Sequence, residues 1–282
     1  MPASLLLPQI STNVRLAASR LLFPELAAAW AERLFLTPPA ASESAASALD
    51  LVDARSAGLV HKGRTIATWS WGAADAPAVI LAHGWGGHAA QMRTFVPPLL
   101  GAGFRVIAYD QPAHGVSEGR LTGLPDFAEV LGELAAHYGG VHGVVGHSLG
   151  ATAAAMAHAW RRLDAAKFVL IGAASDLVGY SRRFARWHWM PEWLRGAMQT
   201  AIEERYGLRW EELELEAVAP RLAAQALVIH DRGDRRVPWA QGAAIANAWR
   251  GARLLSTQGL GHRRILEDEA VGRAAAQFLC AR

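Results

Sequence analysis

The segment VHGVVGHSLGATAAAMAHAW, residues 141–160, decides the fold of this chain. Its apolar run VHGVV leads directly into GHSLG at 146–150 and then into an Ala-rich run typical of a helix. A sharp strand-to-helix turn lifts a serine hydroxyl out of the sheet edge, and Gly146 and Gly150 let strand and helix approach closely. The first N–H groups of the helix lie where negative charge would develop during nucleophilic attack. The segment therefore predicts a strand, a tight turn carrying the candidate nucleophile Ser148, and a helix.

The same Gly-x-Ser-x-Gly pattern occurs earlier, as GVSEG at 115–119. The strand before it ends at Asp110, and the intervening text, QPAHGVSEGRLTGLP, is rich in Gly and Pro and is typical of a loop. No helix follows Ser117 directly. We therefore expect Ser117 to support turn hydrogen bonds and Ser148 to be the nucleophile.

Apolar runs alternate with helical patterns along most of the chain. Candidate strands lie at 65–71, 78–84, 104–110, 141–147, 166–174, 226–231 and 252–258, and candidate helices at 124–138, 149–162, 240–250 and 265–281. Continuous apolar strands separated by helices indicate an α/β fold with a mostly parallel central sheet flanked by helices.

One interval breaks this alternation, because residues 176–219 have a pattern typical of helices and contain no candidate strand. We interpret it as a helical cap inserted after the strand at 166–174. The predicted domains are a core of residues 60–175 and 220–282, the cap at 176–219, and an N-terminal helix with its linker, residues 1–59, packed on the core. The linker is the Pro-, Ser- and Ala-rich stretch at 37–47.

Composition excludes several classes of protein. The 282 residues are 52% hydrophobic and 19% charged, with a net charge of +3, which is typical of a packed globular domain. Basic residues alternate with acids, and even RRFAR at 182–186 is interpreted as a solvated helix face, so no nucleic-acid partner is expected. A single cysteine, Cys280, excludes an internal disulfide framework and favours the cytoplasm. Charges interrupt the apolar N-terminal segment, so neither a membrane span nor a secretion signal is predicted.

A serine becomes nucleophilic only when a base accepts its proton and an acid orients that base. Among eleven histidines, His262 in GLGHRR follows the last candidate strand and precedes the final helix, which is where a base is needed. The acid should end the preceding strand, where VIHDRGDRRVP offers Asp231 and Asp234. Asp234 is preferred because it lies further into the loop, while Asp231 is expected to bind backbone N–H groups of the turn. Asp176 is the alternative acid.

The loop HGWGGH at 83–88 follows an apolar strand and can turn peptide N–H groups toward the serine. We assign an oxyanion hole to the N–H groups of Trp85 and Leu149. Glycine-rich loops also bind phosphates, but no Gly-Lys-Ser/Thr follows here and GHSLGATAA is not a dinucleotide fingerprint. No metal and no cofactor are expected.

Taken together, HGWGG, YDQPAHGVS, VVGHSLG, VIHDRGDRRVP and GLGH resemble the α/β-hydrolase superfamily in order and spacing, over roughly residues 60–282. The resemblance implies that Ser148, Asp234 and His262 form a catalytic triad of a serine hydrolase, carboxylesterase-like, acting on a small-molecule substrate. It leaves thioester, amide and carbon–carbon bond hydrolysis open as alternatives, together with a non-catalytic small-molecule-binding protein on the same scaffold. Epoxide or halide hydrolysis would need a carboxylate at position 148. The N-terminal helix departs from the family pattern, and the oligomeric state is not predicted.

The predicted cap is rich in large apolar side chains: Tyr180, Trp187, Trp189, Met190, Trp193 and Trp210. Some of them must hold the cap together. We also expect an apolar wall near the nucleophile to favour short to medium apolar esters over charged or polymeric ones.

Overall fold

The computed structural model describes residues 24–39, 51 and 53–281. Most of the predicted linker, and residues 1–23, lie outside this part of the chain. The described residues divide into a sheet unit, drawn from residues 38–175 and 215–281, and a helical unit, formed by 24–37 and 176–214.

The sheet unit is built on eight strands. They are β1 Arg55–His61, β2 Arg64–Trp71, β3 Ala78–Ala82, β4 Arg105–Tyr109, β5 Gly143–His147, β6 Lys167–Ile171, β7 Gln225–Asp231 and β8 Ala252–Thr257. Their order across the sheet is β1-β2-β4-β3-β5-β6-β7-β8. Only the β1–β2 and β2–β4 pairs are antiparallel, so the predicted α/β fold with a mostly parallel sheet is confirmed.

Helices connect these strands. The helices are numbered in chain order through both units, so α1, α5 and α6, which belong to the helical unit, are given with that unit. The helices of the sheet unit are α2 Val96–Gly101, α3 Leu124–His137, α4 Leu149–Ala159, α7 Leu215–Val218, α8 Trp239–Ala248, α9 Gly261–Arg264 and α10 Glu269–Cys280. A 3-10 helix, Ala89–Phe95, precedes α2. Every residue of β3, β5 and β6 is buried, as expected when helices cover both faces of a parallel sheet.

Strand β1 was not predicted, because we assigned residues 1–59 to a helix and a linker. Its seven residues, RSAGLVH, are mostly exposed and carry no apolar run. β1 forms because a two-residue turn joins it to β2, with positive φ at Lys62 (48°) and Gly63 (74°). Such a turn matches the twist of an antiparallel hairpin and places β1 at the sheet edge.

The helical unit contains α1 Pro24–Leu36, α5 Leu177–Trp187, α6 Glu192–Tyr206 and a 3-10 helix at Trp210–Leu213. Phe35 of α1 packs against the rings of Tyr180, Phe184 and Trp210, and Glu32 forms an ion pair with Arg205. The domain assignment made from the sequence groups α1 with the core, whereas its described residues group with 176–214. The cap boundaries at 176 and 219 stay a prediction.

Three tryptophans of the helical unit are exposed: Trp187 (70%), Trp189 (76%) and Trp193 (48%). Trp210 is buried. The packing of this unit therefore rests on Trp210 and its neighbours, and the role of the exposed three in selectivity stays a prediction. No helix in the described part of the chain is both long and apolar enough to span a membrane.

Candidate active site

Ser148 lies in the sharp turn between β5 and α4. Its backbone has φ 51° and ψ −122°, a conformation that costs energy for a residue with a Cβ atom. The Ser148 N–H donates to the carbonyl of Ile171 at the end of β6 (2.8 Å), which anchors the turn to the sheet. The strained turn predicted from GHSLG therefore forms, and it leaves Ser148 partly exposed.

Two glycines make this turn possible. A Cβ atom on Gly146 would lie 2.5 Å from Ala151 Cα, and one on Gly150 would lie 2.3 Å from the carbonyl oxygen of His83. Both distances are shorter than any real contact between such atoms. Strand, turn and helix thus pack backbone to backbone, as the sequence pattern predicts.

His262 lies in α9, after β8, and Asp234 lies in the loop after β7. His262 Nδ1 donates to Asp234 Oδ2 at 2.7 Å. The other oxygen, Oδ1, accepts from the N–H groups of Arg236 (2.8 Å) and Val237 (3.0 Å). Both carboxylate oxygens are therefore occupied, and the proton of the imidazole is held on Nδ1, which leaves Nε2 as an acceptor.

The pKa of Asp234 reflects two opposed effects. Burial raises the pKa of the carboxyl. Hydrogen bonds from His230 and His262, the charge of His262 and the hydrogen bond from the Val237 N–H all lower it. Together they outweigh burial and hold the pKa of Asp234 well below its usual range. Asp234 is therefore ionised throughout the neutral pH range. An ionised, buried acceptor beside Nδ1 stabilises the imidazolium that forms when Nε2 accepts a proton.

Ser148 and His262 line one cleft of the sheet unit, together with Trp85 and Gly84. The three sequence-predicted residues Ser148, Asp234 and His262 are thus brought together from the loops after β5, β7 and β8. Among the described residues, no hydrogen bond joins Ser148 to the His262 ring. Such contacts commonly tighten only when substrate is bound.

Of the two predicted oxyanion donors, Trp85 lines the same cleft, and Leu149 follows Ser148 as the first residue of α4. In the described part of the chain, the N–H groups of Trp85 and Leu149 donate to no protein acceptor, although their neighbours do. The Gly86 N–H donates to His114 Nε2 (2.9 Å), and the Gly87 N–H donates to the Gly84 carbonyl (3.0 Å). Binding an oxyanion requires such unpaired N–H groups near the nucleophile, and the assignment of Trp85 and Leu149 to this role stays a prediction.

Two buried histidines shape this loop, a role that we did not predict. His83 Nδ1 donates to the Gly84 carbonyl (2.8 Å) and its Nε2 accepts from Gln111 N–H (2.9 Å). His114 donates through Nδ1 to Pro112 and accepts from Gly86. Burial lowers the pKa of His83 well below its usual value and that of His114 to about 4, so both stay neutral and keep an acceptor nitrogen.

His147 is a further residue whose role the sequence did not reveal. Its Nε2 donates to the backbone carbonyl of His262 at 2.8 Å, and the two rings lie 4.7 Å apart. Burial, followed by the charge of His262, lowers the pKa of His147 to about 3, so its ring is neutral at all ordinary pH values. His147 therefore fixes the backbone position of the candidate base.

The alternative candidates take structural positions. Ser117 Oγ donates to the Asp110 carbonyl (2.8 Å) and accepts from Ala67 N–H (2.9 Å). Asp231 accepts from Thr257 Oγ1 (2.8 Å) and from the backbone N–H groups of Gly233 and Leu260. Asp176 caps the N-terminus of α5 by accepting from Gly179 N–H (2.6 Å).

Among the described residues, the side chains of His61, Asp126 and Glu129 form one group close enough to hold a metal ion. The Lys62 ammonium contacts both carboxylates of this group, and Arg162 contacts Glu129 at 3.3 Å. These cations already compensate the acids. The group shares no residue with the Ser148 cleft.

Comparison with known proteins agrees with this architecture. Residues 77–196 match the model of the family described as alpha/beta hydrolase fold. Comparison with curated proteins finds no match. Solved structures similar to this chain include Est1E of Butyrivibrio proteoclasticus with ferulic acid bound, at 17% identity and TM-score 0.64, covering 79% of this chain and 97% of that one.

Two further similar structures are named for an activity. The esterase EaEST of Exiguobacterium antarcticum is 19% identical, with TM-score 0.60, and the match covers 78% of this chain and 97% of that one. The monoacylglycerol lipase of Paleococcus ferrophilus is 21% identical, with TM-score 0.60, covering 76% and 98%. At these identities the likeness shows the fold. With the family match over residues 77–196 and the eight-stranded, mostly parallel sheet, the chain has the α/β-hydrolase fold.

Proposed function

We propose that this protein is a serine hydrolase that cleaves carboxylic esters through an acyl-enzyme intermediate. The observation that carries the proposal is the 2.7 Å hydrogen bond between His262 Nδ1 and the ionised Asp234, with the imidazole lining the cleft of Ser148. A neutral imidazole held in this tautomer can accept a proton only on Nε2, which is what a nucleophilic serine requires. The esterase and lipase among similar folds support the same reaction class.

In the proposed mechanism, Ser148 Oγ attacks the ester carbonyl while His262 Nε2 accepts its proton. The N–H groups of Trp85 and Leu149 bind the resulting oxyanion, each contributing about 3 kcal/mol to the transition state. His262 then passes the proton to the leaving alcohol as the tetrahedral intermediate collapses. Water attacks the acyl-enzyme by the same route, and the carboxylic acid is released as Ser148 regains its proton.

The acyl group is proposed to be apolar and of short to medium length. The Ser148 cleft has a volume of only about 30 Å³. Besides Ser148, it is lined by Trp85, three glycines and the polar side chains of Gln91, His147, Arg236, His262 and Arg263. A cleft of this volume favours acyl groups at the short end of this range. Bulky polymeric substrates are therefore disfavoured.

A reducing, cytoplasmic location is part of the proposal, based on the single cysteine.

The test is covalent labelling with a fluorophosphonate, followed by peptide mapping. We expect one label on Ser148, and Ser148→Ala should abolish both labelling and turnover of chromogenic esters. Ser117→Ala is the matched control and should retain both. Labelling of Ser117, or no labelling of the folded protein, would overturn the proposal.

A second function stays open, namely hydrolysis of thioesters, amides or carbon–carbon bonds by the same groups. A substrate panel with one acyl group and different leaving groups separates these cases. If ligands bind and no substrate in the panel turns over, a binding protein on this scaffold is the better account.

A further inference from the structure

A second cavity, of about 400 Å³, lies beside His262 in the sheet unit. Four of its lining residues are arginines: Arg235, Arg236, Arg263 and Arg264. Its volume falls within the range of about 300–1,000 Å³ that is usual for small-molecule sites. We call it the basic cavity.

The charge of this cavity is not neutralised within the described part of the chain. There, the side chains of Arg235, Arg236 and Arg263 form no ion pair and no hydrogen bond with protein groups. Arg264 donates to the backbone carbonyls of Gly259 (2.7 Å) and Leu260 (3.2 Å), which carry no charge.

One carboxylate, that of Asp231, also lines the basic cavity. It is fully buried, and its oxygens accept from Thr257 and from the N–H groups of Gly233 and Leu260. Asp234, in the loop after β7, already accepts a hydrogen bond from His262. Four cations therefore face one acid that is already satisfied, in a chain whose net charge is only +3.

The basic cavity adjoins the candidate active site. Arg236, His262 and Arg263 line both the basic cavity and the Ser148 cleft. In the proposed mechanism His262 delivers its proton to the leaving group, so the leaving group must depart beside that ring. The oxyanion donor Trp85 lines only the other cleft, which places the basic cavity on the leaving-group side.

We propose that the basic cavity binds a phosphate group carried by the leaving alcohol or thiol of the substrate. This inference rests on the proposed hydrolase function. Guanidinium groups present paired N–H donors that match phosphate oxygens, and several cations suit a dianion better than a single carboxylate. The phosphate is bound and not transferred: the ester and water yield the carboxylic acid and the phosphate-bearing alcohol or thiol.

The proposal changes one expectation drawn from the sequence, that charged esters are poor substrates. The acyl part stays apolar, and the negative charge is carried by the other half of the molecule. Arg235 and Arg236 follow β7, and Arg263 and Arg264 follow β8, so the site is shared between the loops of two neighbouring strands.

The experiment compares two acetyl esters that differ only in charge, 4-acetoxyphenyl phosphate and its dimethyl phosphotriester. We expect kcat/KM to favour the phosphate by about 10-fold or more, because charge-assisted hydrogen bonds are lost in the triester. This preference should weaken as NaCl is added, since salt screens exposed charges. In the double variant Arg236→Gln/Arg263→Gln the ratio should fall toward one, whereas Arg250→Gln, an exposed arginine outside the cavity, should leave it unchanged.

A binding measurement separates the two proposals. Calorimetry with Ser148→Ala and the product 4-hydroxyphenyl phosphate reports on the cavity without any turnover, and we expect the double arginine change in that background to abolish the heat of binding. The phosphate site is overturned, and the hydrolase proposal left intact, if the protein hydrolyses both esters with a kcat/KM ratio of phosphate to triester near one. The same holds if neither the double variant nor Arg250→Gln changes that ratio. No turnover and no labelling of Ser148, with phosphate still bound, overturns the hydrolase proposal instead. A preference for 4-acetoxybenzoate over the phosphate would assign the cavity to carboxylates and refute the phosphate.

Discussion

Replacing Asp234 by asparagine tests the geometry of the candidate site most directly. Asp234 Oδ2 lies 2.7 Å from His262 Nδ1 and 3.5 Å from His230 Nε2, while Oδ1 accepts from Arg236 and Val237 N–H. The asparagine carbonyl can keep the two backbone hydrogen bonds at Oδ1, so the loop should retain its conformation. The amide NH₂ then faces His262 Nδ1, where the carboxylate stood.

An amide donor at this position favours the opposite tautomer of the imidazole, with the proton on Nε2. That nitrogen can then no longer accept the proton of Ser148, and the charged partner of the imidazolium is also lost. From the effect of this change in serine hydrolases with a buried acid, we expect kcat to fall about 10⁴-fold. At 25 °C this corresponds to about 5.5 kcal/mol of transition-state free energy.

The assay is steady-state hydrolysis of 4-nitrophenyl acetate by the wild-type protein and Asp234→Asn, with far-ultraviolet circular dichroism to check the fold. Asp231→Asn and Asp176→Asn are the matched controls, because both acids accept backbone N–H groups, whereas Asp234 is the acid that accepts from His262. Both should keep kcat within about 10-fold of wild type, although Asp231→Asn should lower Tm since it loses a charge-assisted turn contact. If Asp234→Asn keeps nearly full kcat while either control loses it, our assignment of the acid is wrong.

Three further predictions concern the surroundings of the site. Gly150→Ala should lower the free energy of unfolding by about 1–3 kcal/mol or more, because its Cβ would lie 2.3 Å from a backbone carbonyl. Gly196→Ala, within α6 with nothing near its Cβ, should instead raise it by about 0.5–1 kcal/mol in urea titrations. His147→Gln should lower kcat about 10- to 100-fold, because it displaces the candidate base. The shape of the pH–rate profile should stay unchanged, because the pKa of His147 is about 3. A changed profile would assign His147 a role in proton transfer. The pKa of Asp234 is depressed on folding, so its contribution to stability is complete above the usual carboxyl value and is lost as pH falls through the folded-state value. The Tm difference between wild type and Asp234→Asn should therefore narrow between about pH 5 and pH 2, and a constant difference would contradict the depressed pKa.

The sequence by itself determined the strand–turn–helix around Ser148 and the alternation that specifies a mostly parallel sheet. These features are local: an apolar run, glycines at 146 and 150, and an Ala-rich helix all lie within about twenty residues. Chain order also directed attention to Asp234 and His262, since each follows a strand of the predicted sheet.

The tertiary structure decided which residues from distant parts of the sequence come into contact, which no local stretch of sequence specifies. Asp231 and Asp234 stand in the same turn, and only the folded loops show which carboxylate meets His262 and which one binds the backbone. β1 has no apolar run of its own and forms because it pairs with β2 in an antiparallel hairpin. The four arginines of the basic cavity are two separate pairs in the sequence. They meet because β7 and β8 are parallel neighbours, and the loops that follow parallel strands emerge at one edge of the sheet.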